Sequence, residues 1–296
     1  MTGRCRRRLV VGVDHTPEAQ VAVRWVVEEA GYRNCPVRVI SAYEAVSAPA
    51  PFDTRVPAGP PASLRERFDD AVAYARDRLG RDRVDSALVP GKPATVLLAE
   101  ARSAELVVVG SRPRSTLGAI AVGSVGDAVA AHAACSVVVA RTVGDEPVQP
   151  RIVVGVDDSD GAAAAVSLAF EAADSRNLAL DVAHCWQPFG YASRVRWSED
   201  VIAVARRRRK AWMADKIAGA AEKHPAVHAA TFLLEGRAGA KLVAWSRHAA
   251  LLVVGSRGHG GVAGLLLGSV SQHVVHHAHC TVMVAREAGG DGRSGA

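Results

Sequence analysis

The chain has no C-x-x-C pair: its five cysteines, Cys5, Cys35, Cys135, Cys185 and Cys280, are scattered singly. That spacing offers no zinc or dithiol redox motif, and it points to a reduced, cytoplasmic compartment. A secretory leader is not expected either, because the basic start RCRRR is followed only by LVVGV before Asp14 interrupts it, too short for a signal peptide's apolar region. No stretch supplies the roughly 20 uninterrupted apolar residues of a membrane-spanning helix, since Asp127, His132, His273 and His276 break the Ala- and Val-rich segments. Nor is there a dense basic stripe. The net charge of +6 suits acidic ligands such as nucleotides, but nucleic acid is not an expected partner.

What the chain does have is size and a repeat. With 296 residues, 49% of them apolar, it has material for two domains. RLVVGVD at Arg8 to Asp14 returns as RIVVGVD at Arg151 to Asp157, an offset of 143. LVVVGSR at Leu106, GSV at Gly123 and CSVVVAR at Cys135 return as LLVVGSR at Leu251, GSV at Gly268 and CTVMVAR at Cys280, an offset of 145. A duplicated domain with a two-residue length change in one connection accounts for both offsets. The division is then 1–143 for the first copy and 150–287 for the second, with VGDEPVQP (Val143 to Pro150) as an exposed linker and 288–296 as a flexible tail.

Within each copy, short β-branched runs alternate with longer Ala-rich segments of helical period, which is the pattern of βαβ units and a parallel sheet. In the second copy the strands are predicted near 151–156, 179–185, 228–234, 250–254 and 281–285. Runs such as LLVVG are apolar at consecutive positions, as strands covered on both faces require. The fold class is therefore α/β: two tandem open parallel five-stranded sheets with helices on both faces.

Sheets of this kind bind ligands where strands end and helices begin. Asp14 and Asp157 stand at the carboxyl end of each opening strand, placed to accept from a base amine or a ribose hydroxyl. Asp158, Ser159 and Asp160 serve equally as helix caps. After the fourth strand of the second copy come Gly255, Ser256, Arg257 and Gly258, then nine residues, then Gly268 and Ser269. Such glycines let a backbone approach phosphate, Arg257 adds a cation and Ser269 a hydroxyl donor. A P-loop is excluded, as there is no G-x4-G-K-[ST] motif.

This G-x2-G-x9-G-S pattern resembles that of the nucleotide-binding members of the universal stress protein family, and the resemblance spans nearly the whole chain in both copies. It implies a Rossmann-like, adenine nucleotide alpha hydrolase-like fold and an ATP cofactor, with or without Mg2+. The adenine would lie near Asp157 and Cys185 with Gly155 beneath it. The phosphates would meet Gly255, Ser256, Arg257, Gly258, His259, Gly260, Gly261, Gly268, Ser269, Val270 and Ser271. The counterparts in the first copy are Gly12, Asp14, Gly110, Gly123, Ser124 and Val125. There Pro113 replaces the second glycine and removes an N–H donor, so the second site is expected to bind more tightly than the first. The resemblance also implies that the copies pair through their last strands, Ser136 to Ala140 and Thr281 to Ala285. It leaves room for a homodimer and for a protein partner of unknown kind. The Ala- and Arg-rich composition suits a high-GC bacterium of actinobacterial type.

Three functions fit these residues: a nucleotide-responsive regulator in stress or dormancy, a slow ATPase or self-phosphorylating enzyme accepting at Ser269 or Ser271, and a nucleotide-free scaffold. No general base or pair of metal carboxylates stands at the phosphate loop, so the regulator is preferred and no catalytic residue is assigned. His273 and His277 have zinc-like i, i+4 spacing, but structural roles are expected for this histidine cluster and for Cys135 and Cys280. Arg206 to Lys210, RRRRK, sits in a helix predicted over Ser198 to Lys223, where a solvated basic face competes with a docking site for an acidic partner. Ser47 to Pro61, with its prolines, is an irregular loop.

Overall fold

The computed structural model describes residues 7–44, 59–111, 123–142, 150–159, 161–187, 198–258 and 267–287. Pro113, Asp160, His259, Gly260, Gly261, the tail and most of both the linker and the proline-rich loop lie outside them. Internal contacts divide the chain into two units that meet between Thr142 and Val143.

The first unit runs β1 (Arg8–Gly12), α1 (Glu18–Arg33), β2 (Val37–Tyr43), α2 (Ala62–Leu79), β3 (Val84–Pro90), α3 (Pro93–Ala101), β4 (Ala104–Gly110), α4 (Gly123–His132) and β5 (Ser136–Ala140). The second repeats it: β6 (Arg151–Gly155), α5 (Gly161–Arg176), β7 (Ala179–Trp186), α6 (Glu199–Lys223), β8 (Ala229–Glu235), α7 (Ala238–Trp245), β9 (Ala249–Gly255), α8 (Ser269–His277) and β10 (Thr281–Ala285). All five strands predicted for the second copy are present, displaced by at most a residue at either end. Every pairing within each unit is parallel, with strand orders β3-β2-β1-β4-β5 and β8-β7-β6-β9-β10.

Consecutive apolar residues make the central strands. Leu9, Val10 and Val11, and likewise Ile152, Val153 and Val154, are buried on both faces of the sheet. In the second unit α5 and α6 pack together on one face and α7 and α8 on the other. The inner stripe of α5 is Ala162, Ala165, Val166, Ala169, Phe170 and Ala173, spaced by three and four residues. Its small alanines bring the helix close to β9: a Cβ on Gly255 would lie 3.1 Å from the Gly161 carbonyl oxygen.

The two-residue length change falls between the second and third strands, where the paired residues Val37 and Val84 are 47 apart in sequence and Leu180 and Ala229 are 49 apart. The helix there also differs between copies. α2 has 18 residues and buries Leu64, Phe68, Ala71, Val72 and Ala75, whereas α6 has 25 and buries only Met213. No helix among the described residues is long and apolar enough to cross a membrane.

Candidate functional site

In each unit the first and fourth strands, β1 with β4 and β6 with β9, are neighbours in space but not in sequence. The helices that follow them, α1 with α4 and likewise α5 with α8, pack on opposite faces and leave a crevice at the carboxyl ends of the strands, the usual place for a ligand on such a sheet. A cavity of about 310 Å³ lies there in the second unit and one of about 250 Å³ in the first.

The second cavity gathers Gly155, Asp157, Cys185, Gly255, Arg257, Gly258, Gly268, Ser269, Val270 and Ser271, so the positions chosen from sequence converge on one space. Ser256 lies just behind them, its N–H donating to the Ala285 carbonyl at 2.9 Å and its own carbonyl accepting from Gly268 N at 2.8 Å. Sequence reasoning missed the remaining lining, which includes Ala162, Ala183, Ala238, Leu242 and Val254. Only Ala183 left a legible signal, because it stands two residues before Cys185 on β7 and therefore on the same face.

Space is tight at the loop glycines. A Cβ on Gly258 would sit 2.6 Å from Asp157 Oδ2, and one on Gly268 would sit 3.3 Å from Gly258 N and 3.4 Å from Arg257 Cα. Gly155 lines the cavity and also admits α7 against the sheet, since a Cβ there would be 2.8 Å from a Leu242 methyl.

Asp157 is already held. Its Oδ1 accepts from Ser159 N at 3.1 Å and from the Ser159 hydroxyl at 2.5 Å, and that hydroxyl is also 3.1 Å from the Arg257 carbonyl. The loop after β6 and the loop after β9 are thereby tied together. Asp14 repeats the first half of this arrangement with Thr16, at 2.9 and 2.5 Å. Asp158 pairs with Arg209 at 3.2 Å, which is neither of the roles weighed for it from sequence.

At the other wall α8 begins at Ser269, and its first helical bond runs from Gln272 N to the Gly268 carbonyl at 2.9 Å. The N–H groups of Ser269, Val270 and Ser271 have no partner one turn back and point out of the helix end with its positive dipole, a setting that favours anions. Ser271 is buried, and its hydroxyl donates to the Gly255 carbonyl at 2.6 Å, bracing the loop; Ser269 is exposed.

The first cavity has the same plan, with Gly12, Asp14, Gly110, Gly123, Ser124 and Val125 on its wall. Three side chains change its character. Ile40 stands where the second has Ala183, Leu64 of α2 also lines it, and Gly126 replaces the bracing Ser271. Gly123 has φ +77, a left-handed conformation that glycine adopts without strain, while Gly268 has φ −69.

Cys185 belongs to the apolar wall. Burial pushes its thiol up to about 11, and the nearby Lys241 ammonium opposes this only in part. A raised value keeps the thiol neutral at physiological pH and means that thiolate appears only in strong alkali. Maleimide labelling of Cys185 at pH 8, mapped by mass spectrometry, is expected to run about tenfold or more slower than in urea-unfolded protein. The folded rate should keep climbing as pH rises toward about 11, after the unfolded rate has levelled off. Equal rates at pH 8 would contradict this.

Cys135 and Cys280 are buried. His273 and His277 are exposed with ring centroids 4.5 Å apart, and no group of three or more metal-ligating side chains is assembled among the described residues.

Residues 6–141 and 150–286 each match the Universal stress protein family. The chain is 34% identical over 292 residues to Universal stress protein Rv2623 of Mycobacterium tuberculosis, covering 94% of this chain and 96% of that one. It is 33% identical over 288 residues to Universal stress protein Mb2028c of Mycobacterium bovis, covering 94% and 97%. A crystal structure of a universal stress protein from Archaeoglobus fulgidus shares the fold at 15% identity and a TM-score of 0.61, over 95% of this chain and 96% of that one. Two family matches that leave few residues uncovered, together with relatives matched along almost their full length, place this chain in the universal stress protein family, in its tandem form of actinobacterial type.

Proposed function

We propose that the chain is a nucleotide-responsive regulator that binds ATP in its second unit and binds it weakly or not at all in its first. The observation carrying this reading is the tight space at Gly258, where a Cβ would lie 2.6 Å from Asp157 Oδ2, and at Gly268, where it would lie 3.3 Å from the Gly258 backbone N, beside the N–H groups at the start of α8. Phosphate needs close backbone donors of this kind. The wall of Ala162, Ala183, Ala238, Leu242 and Val254 suits the flat apolar body of a purine, with Asp157 as the polar group that orients it.

Hydrolysis or self-phosphorylation draws less support. Asp157 is the only carboxylate among the described residues lining the cavity, and it already accepts from Ser159. The Ser271 hydroxyl is committed to the Gly255 carbonyl.

The test is to purify the full chain without added nucleotide, denature it and quantify the adenine nucleotides released by chromatography. Occupancy of about one nucleotide per chain is expected for one working site, falling sharply in Gly268→Ala. If wild-type protein releases none and binds none on later titration, the scaffold reading replaces this one.

A further inference from the structure

We propose that Arg209 of α6 is a second cation for the second pocket: it pairs with Asp158 and is recruited by the phosphates of a nucleoside polyphosphate. The inference rests on reading that pocket as a nucleotide site. It adds a residue from an element that lies outside the phosphate loop and a reason for the site to prefer long phosphate chains.

The geometry starts from the loop after β6. Asp157 faces the cavity, Asp158 takes Arg209 Nη1 on its Oδ2 at 3.2 Å, and the Ser159 hydroxyl lies 3.1 Å from the Arg257 carbonyl of the phosphate loop. Arg209 is therefore held by the residue between one that lines the pocket and one that touches the phosphate loop. The Arg209 and Asp158 side chains are 41% and 40% exposed, and a pair so open to water is weak. A ligand carrying several negative charges outcompetes one carboxylate for a guanidinium, which binds phosphate through planar, charge-assisted hydrogen bonds.

The same arginine has a built-in reporter. Its guanidinium carbon lies 5.8 Å from the centre of the Trp212 ring. Trp212 packs 4.8 Å from the His184 ring, and His184 Nδ1 is 2.8 Å from the carbonyl of Val156, which lines the cavity. Moving Arg209 off Asp158 alters the surroundings of Trp212. The arrangement belongs to the second unit alone, because the repeat places His15 where Asp158 stands and Ser41 where His184 stands.

The experiment is calorimetric titration of ATP and of adenosine into the full chain, the Arg209→Ala variant and the Arg209→Lys variant, with tryptophan emission recorded in parallel. Arg209→Ala should weaken ATP about tenfold or more, the scale of a lost charge-assisted contact to phosphate, and leave adenosine within about twofold. Arg209→Lys should recover part of the loss. ATP should shift the emission while adenosine does not, and Trp212→Phe should remove that shift. Unchanged ATP affinity in Arg209→Ala, or an equal loss for both ligands, would overturn the role of Arg209. If neither ligand binds wild-type protein, the nucleotide reading falls with it; if wild-type binds both normally and only the arginine effect is missing, this inference alone falls.

Discussion

Replacing Gly258 by alanine is expected to lower ATP affinity about a hundredfold, the order of cost expected when a close contact is forced apart at a binding loop, with the melting temperature nearly unchanged. The added methyl would lie 2.6 Å from Asp157 Oδ2. That carboxylate cannot simply swing aside, because Ser159 holds its other oxygen and also touches the Arg257 carbonyl. Relief therefore moves the loop bearing Arg257 or disengages Asp157, and each removes a feature on which the proposed nucleotide site depends. The residue is only half-buried, past the carboxyl end of β9, so the core is not involved. Titration calorimetry paired with a thermal melt separates the two effects; wild-type affinity in the variant would mean that Gly258 does not shape the site.

The second large effect is expected from exchanging one residue between the copies. Ala183→Ile puts into the second pocket the side chain that the first carries at Ile40, adding three carbons to the wall beside Cys185. A purine seated there loses its space, and ATP binding should fall below detection at millimolar ligand. The strand itself tolerates the change, since β-branched residues suit a buried parallel strand. The reverse change, Ile40→Ala, enlarges the first pocket but removes a side chain only 1% exposed, at a cost of about 2–4 kcal/mol. Retention of ATP binding by Ala183→Ile would move the base elsewhere and sink the assignment of this wall.

These contrasts show where the sequence was legible. Repetition and consecutive apolar runs disclosed the strands and their parallel pairing, because burial on both faces leaves a mark at every position of LVV in β1 and LLVV in β9. The spacing of Gly255, Gly258 and Gly268 marked the loop that lines the cavity, because glycine suits places where chain segments approach closely. Leu242 and Ala238 were not legible, since an ordinary apolar residue on a helix looks the same whether it faces a cavity or the core. Arg209 was hidden for a related reason. RRRRK looks alike at each position, and only the helix turn selects the one arginine that reaches Asp158, while Arg206 reaches Glu235. The proline that separates the first loop from the second pointed to unequal sites from backbone chemistry; Ile40, Leu64 and Gly126 point the same way from shape.

The thin attachment of α6 has a thermodynamic consequence. Cooperative units open at a free energy set by the apolar surface they bury. α5 buries Phe170 and six other residues and opens only with the sheet, while α6 fully buries Met213 alone and is otherwise held by part-exposed contacts such as Trp212 on His184 and Arg209 on Asp158, so it detaches at smaller cost. The helix carrying Arg209 is thus cheaper to release than α5, and an effector that grips it from one end changes the amplitude of its fluctuations before it changes any average position.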